Sequence, residues 1–127
     1  MLWQRRIAAA LRSLELTQVQ YALLASLLWL SRKERSVSQT MLARHAKLDM
    51  MMTSQVLRAM EANGLLSRKP HPTDTRAKAL TLTRRGRALA LRAVPAVENA
   101  DRTFFSGLEG RIEEFNMSLL TLINASK

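Results

Sequence analysis

Cysteine is absent from this 127-residue chain, which excludes disulfides, thiol redox sensing and thiolate metal sites. Histidine is nearly so: His45 and His71 stand 26 positions apart with no carboxylate spacing around them that suggests a metal or acid–base site. With 4 glycines there is no phosphate-binding glycine loop, and no nucleophile elbow occurs. No enzyme activity, cofactor or metal is therefore expected. Long apolar runs are missing too. Leu23 to Leu30 is the longest, far short of the twenty or so residues a bilayer demands. Arg12 and Glu15 interrupt the N-terminal stretch before a secretory apolar region could form. The expectation is a soluble, cytoplasmic protein without membrane contact.

Acidic residues are scarce as well. The chain has 20 Lys and Arg against 10 Asp and Glu, a formal charge of +10 and a pI near 11.4. Between Arg32 and Arg92 stand 14 basic residues and only 4 acidic ones, Glu34, Asp49, Glu61 and Asp74, while the two ends together balance to zero. A neutral framework carrying a basic middle suits a module that faces phosphates. A basic surface kept for solubility would look the same by charge alone.

Caps mark the helix starts. Thr17 with Gln20 forms a capping box, and Leu16 with Tyr21 has the spacing of a hydrophobic staple, so a helix should begin near Gln18 with Leu23, Leu24, Leu27 and Leu28 facing a core. Ser38 should cap a short helix through about Ala46 with Leu42 inward. Asp49 should cap a third, running to Asn63 and closing on Gly64. Only Lys47, Leu48 and the cap separate these two, which forces a sharp helix-turn-helix crossing. Beyond Gly64 the pattern is extended. Leu65 to Lys69 and Ala79 to Thr83 read as strands joined by a turn at Pro70-His71-Pro72-Thr73-Asp74, which makes a wing. Thr83 should cap a long helix to about Ser106, kinked at Pro95, and a last helix should span about Gly110 to Asn124. Apolar stripes at Trp3, Ile7, Leu11 and Leu14 and at Ile112, Phe115, Leu119 and Leu122 leave more apolar surface than one small domain covers, which predicts a homodimer seam.

The fold class expected is thus mainly α with a small β-hairpin wing, a winged helix-turn-helix, in one domain over 1–127. Residues 17–83 form the DNA-binding lobe, and 1–16 and 84–127 the dimerisation helices. On the helix after Asp49 the polar face should present Met50, Met51, Thr53, Ser54, Gln55 and Arg58, with Met52, Val56, Leu57 and Met60 inward. The first turns of such a helix reach base edges in a major groove. Gln55 can read adenine through paired hydrogen bonds, Thr53 and Ser54 can meet bases or phosphates, and methionines can touch thymine methyls. Arg58 suits the backbone better. At the wing tip Arg76 suits a narrow minor groove, with Asp74 placed to hold it or to satisfy the turn's own amides. Ser38 and Lys78 complete the expected DNA contacts. Arg84 and Arg85 oppose the dipole of the helix they open; either they extend a phosphate-attracting field or they are a solvated pair.

In these residues the chain resembles the MarR family of bacterial transcriptional regulators. LTQVQYALLASL matches the second helix, LDMMMTSQVLRAMEANGLLSRK the recognition helix and first strand, HPTDTRAKALTLTRRG the wing, and VPAVENADRTFFSGL the long helix. The resemblance implies a triangular dimer joined by its terminal helices, each winged lobe entering a half-site of a pseudo-palindromic operator. It places the groove-reading positions on Met51, Thr53, Ser54 and Gln55 and the minor-groove arginine on Arg76. It also implies repression relieved by a small, often aromatic or phenolic, ligand between the dimer and DNA-binding parts, for which Trp3, Tyr21, Trp29 and Phe104 are candidates, although aromatic residues at helical spacing equally build a core. Two rival functions stay open at this point: nonspecific nucleic-acid coating, and a winged domain used for protein contacts.

Overall fold

The computed structural model describes residues 2–70, 78–106 and 112–125. In chain order its elements are α1 (Leu2–Arg12), α2 (Gln18–Lys33), α3 (Gln39–Ala46), α4 (Met50–Ala62), β1 (Leu66–Pro70), β2 (Lys78–Leu82), α5 (Arg84–Phe105) and α6 (Ile112–Ala125).

Every cap the sequence offers is used. The Thr17 hydroxyl accepts from the Gln20 amide at 3.1 Å while the Gln20 side chain accepts from the Thr17 amide at 3.0 Å, closing both halves of a capping box. Ser38 accepts from Met41 at 3.2 Å, Asp49 from Met52 at 2.9 Å and Thr83 from Gly86 at 3.0 Å. Each bond satisfies an amide that the first turn of a helix would otherwise leave open. At the other end of α3, Lys47 turns into the left-handed region (φ 56°), and the Leu48 amide returns to the Ala43 carbonyl at 3.0 Å. That left-handed step sends the chain from α3 into α4 within three residues.

One core joins α1 through α5 and the hairpin. Leu11 of α1, Leu23, Leu24, Leu27 and Leu28 of α2, Leu42 of α3, Leu57 and Met60 of α4, Leu66 and Leu80 of the hairpin, and Ala90, Ala93 and Val97 of α5 are all buried in it. β1 and β2 are antiparallel with Leu66 opposite Leu82 and Arg68 opposite Leu80. Their bounds lie one residue from those expected at each strand, because the Leu65 amide still bonds back to Met60 at the end of α4. The Leu80 amide donates to the Val37 carbonyl at 2.8 Å, so the α2–α3 linker lies along the hairpin's second edge. Val37 is itself buried and links helix-turn-helix to wing.

Pro95 sits inside α5, which runs as one element from Arg84 to Phe105. The start of α1 is tied to the end of α5: Trp3 Nε1 donates to Asp101 at 2.6 Å, its ring meets those of Phe104 and Phe105, and the Arg6 guanidinium lies 5.8 Å from the Phe104 centroid. α6 leaves Met117, Leu119, Leu120 and Ile123 between 41% and 65% exposed. Side chains 112–115 lie outside the described residues, so the expected stripe is seen only in its later part.

Candidate nucleic-acid interface

The exposed side of the lobe is built by α4 and the helix before it. Leu57 and Met60 set the buried meridian of α4, and the position one turn before Leu57 is Thr53, which is fully buried. This corrects the expected facing: Thr53 is a core residue rather than a base reader, and Met52 is exposed while Val56 is half-buried. The physical reason is that Met50, Met51 and Met52 are all apolar and span more than half a helical turn. Periodicity cannot say which of them turns inward, whereas Leu57 and Met60 can be accommodated only on one side. The Thr53 hydroxyl finds no hydrogen-bond partner, an arrangement that costs about 1–3 kcal/mol. Thr53→Val should therefore raise stability by about 1 kcal/mol in denaturant melts and leave DNA sequence preference intact. A lowered midpoint would show that the hydroxyl is satisfied in solution.

Outward of that meridian stand Met50, Met51, Gln55 and Arg58, all exposed, with Ser54 partly so. Arg44 and Lys47, on α3 and its turn, and Lys69 and Lys78, on the hairpin, are exposed as well. Ser38 is half-buried, and its hydroxyl already accepts from Met41, which leaves its own O–H to donate. The wing tip, including Asp74 and Arg76, lies outside the described residues.

Arg85 has a different task from the one its sequence position suggests. Its guanidinium donates to the Asn63 carbonyl at 2.7 Å, at the end of α4. A cation that opposes its own helix dipole thus offsets the negative end of another. Arg84 remains an exposed charge at the start of α5. In β1, Arg68 lies 3.6 Å from Glu61 of α4, an ion pair at the root of the wing.

The aromatic candidates separate into two places. Trp3 and Phe104 meet at the α1–α5 contact, with Tyr21 close enough to Glu98 and Asp101 to feel their charge. Burial first, then those carboxylates, push the Tyr21 phenol up, so it stays neutral and can donate. Trp29 does not join them: it lies about 12 Å further along α2, half-exposed, with the Lys33 ammonium 4.5 Å from its ring centroid. A cleft of about 310 Å³ lined by Glu98, Asp101, Arg102, Phe105 and Asn116 adjoins the Trp3 cluster. Among the described residues no cluster of three His, Asp or Glu could hold a metal ion, and no helix is long and apolar enough to cross a membrane.

Comparison with known proteins agrees with this fold. A family model described as the MarR family matches residues 16–78. YdcH of Bacillus subtilis (strain 168), an uncharacterized HTH-type transcriptional regulator, is 36% identical over 104 residues, spanning 82% of this chain and 71% of that protein. The HTH-type transcriptional repressor Rv2887 of Mycobacterium tuberculosis is 37% identical over 95 residues, 75% of this chain and 66% of that one. Its crystal structure in complex with salicylic acid superposes with a TM-score of 0.69 at 34% identity, covering 95% of this chain and 87% of that chain. The transcriptional repressor CouR bound to a 23-mer DNA duplex gives a TM-score of 0.77 at 26% identity over 98% of this chain and 84% of the other. With matching helix order, matching wing and sequence identity maintained over most of two chains, this protein belongs to the MarR family of transcriptional regulators.

Proposed function

We propose that the protein is a dimeric, sequence-specific duplex-DNA-binding regulator, a repressor released by a small aromatic or phenolic ligand. The observation that carries the reading is the split of α4, the second helix of the helix-turn-helix, into a buried edge of Thr53, Leu57 and Met60 and an exposed edge of Met51, Gln55 and Arg58. An exposed first turn at a helix-turn-helix is the part that enters a major groove. CouR, of the same fold, is a repressor solved on DNA. Met51, Ser54 and Gln55 read bases, Arg58, Lys78 and Ser38 hold phosphates, and Arg76 enters a minor groove with Asp74 beside it. The exposed face of α6 supplies the dimer seam; the α1 stripe expected to share it is packed within the chain, with Leu11 in the core, Ile7 and Leu14 against it and Trp3 on α5. Rv2887 was solved with salicylic acid. The corresponding effector here occupies the neighbourhood of Trp3, Tyr21 and Phe104, next to the cleft lined by Asp101 and Phe105.

Selection of bound sequences from a random duplex pool at about 150 mM salt tests the reading. The expected result is a two-fold symmetric motif with half-site centres about one helical turn apart. A pool without preference, bound only at low salt, would favour nonspecific coating, and no duplex binding at all would favour a protein partner. On the selected site, Gln55→Ala should relax base preference by about 1–3 kcal/mol, whereas Arg58→Ala should weaken selected and scrambled duplexes alike and lower the salt slope by about one. Equal losses for both variants on both duplexes would reject the division between base reading and phosphate contact.

A further inference from the structure

Three consecutive thioethers, Met50, Met51 and Met52, occupy the first turn of α4 and are 43%, 73% and 37% exposed. None of them belongs to the buried core, since the inward positions of this helix are filled by Thr53, Leu57 and Met60. Methionine is flexible and apolar, and its sulfur is oxidised to a sulfoxide by two-electron oxidants, which makes the side chain polar and chiral. In a chain with no cysteine no thiol competes for such an oxidant. Met60 is 1% exposed and so shielded, and Met41 is half-buried. Met117, 65% exposed on α6, would be covered in the proposed dimer.

We infer that Met50, Met51 and Met52 form an oxidation site on the DNA-reading surface, at which a reactive chlorine species of the hypochlorous acid class lowers operator affinity reversibly. The inference rests on the DNA-reading role proposed above for α4. In the step itself the thioether sulfur attacks the oxygen of hypochlorous acid. An S–O bond forms, the O–Cl bond breaks, chloride leaves and the proton goes to solvent. Sulfur loses two electrons and chlorine gains them. The new sulfoxide oxygen is an acceptor with partial negative charge, set where an apolar side chain would meet thymine methyls and the phosphate backbone. It removes an apolar contact and adds repulsion at the same place. The helix survives the change, because its start is held by the Asp49 carboxylate on the Met52 amide rather than by the methionine side chains.

The test titrates full-length protein with hypochlorous acid and maps the modified peptides by mass spectrometry. Affinity for the selected duplex is measured before treatment, after it, and after incubation with methionine sulfoxide reductases. Expected are sulfoxides at Met50, Met51 and Met52 ahead of Met60, a loss of affinity of at least tenfold, and recovery on reduction. Each variant is compared with its own untreated state: Met51→Leu alone should lose part of the response, the Met50→Leu, Met51→Leu, Met52→Leu triple variant nearly all of it, and Met117→Leu none of it. A triple variant that still responds fully, a response abolished by Met117→Leu, or unchanged affinity with all three sulfoxides in place would each overturn the inference. If untreated protein selects no sequence, the DNA-reading proposal itself fails and takes the switch with it; selective binding that is indifferent to oxidation sinks only the switch.

Discussion

Replacing Gly86 by alanine should lower stability by about 3 kcal/mol or more and abolish operator binding at physiological temperature. A Cβ built on Gly86 would stand 1.8 Å from the Leu65 carbonyl oxygen and 2.8 Å from its carbonyl carbon. Those are backbone atoms, with no rotamer through which to retreat. Insertion of a methyl into a closed contact costs about 1–3 kcal/mol when neighbours can yield, and here they yield only by moving α5 away from the chain leaving α4. That same junction holds the Thr83 amide on the Leu65 carbonyl at 3.2 Å and the Thr83 hydroxyl on the Gly64 carbonyl at 2.6 Å. Displacing it tilts the wing root as well as loosening the core. Thermal melts should show a midpoint lower by about 10 °C. Gly64 provides the control. It has φ +75°, yet an added Cβ would meet only Arg85 Nη1 at an ordinary 3.8 Å, so Gly64→Ala should cost about 1–2 kcal/mol of backbone strain and nothing in packing. Equal losses for the two variants would show that the close approach at Gly86 is not tight in solution.

The double variant Leu119→Asp/Ile123→Asp should convert the proposed dimer to a monomer and reduce operator affinity by about a hundredfold or more. The two positions lie one turn apart on α6 and are 41% and 54% exposed in the single chain, so neither carboxylate would be fully buried in the monomer. In the dimer each carboxylate would be taken out of water against apolar surface, at a cost of several kcal/mol unless paired. A dimer on a two-fold site gains its second half-site at an effective concentration set by the tether, which is worth about 10²–10⁴ in avidity. Sedimentation and titration on full and half operators check this together. A variant that remains dimeric would place the seam elsewhere, and a monomer that binds the full site unweakened would remove the need for a dimer.

Local chemistry carried much of the architecture into the sequence. Thr17, Ser38, Asp49 and Thr83 are short polar residues that bond amides three positions ahead, so helix starts depend on neighbours in sequence and are legible there. The hairpin followed from extended patterns on either side of a turn-rich stretch, although Pro70, expected in the turn, ends β1 opposite Lys78, and the charge map followed from counting. The family resemblance was legible for the same reason: four local patterns occur in one order.

What the chain alone left open concerns contacts between residues far apart. The rotation of α4 that buries Thr53 and exposes Met52 is decided by which helices press on it, because three adjacent methionines present no preferred face to a periodicity argument. Arg85 looked misplaced at a helix N-terminus until the fold set Asn63, 22 positions earlier, against its guanidinium. Trp3 and Asp101, 98 positions apart, are joined by a hydrogen bond, while Trp29 is left with Lys33 on its own helix, separated from the ring cluster it was expected to join. Gly86 looked like any glycine in a helix; only the arrival of Leu65 shows why a methyl cannot fit. Thus caps, turns, charge and family are properties of short stretches and are determined by the sequence. Facing, pairing and close approach are properties of packing, and the tertiary structure decides them.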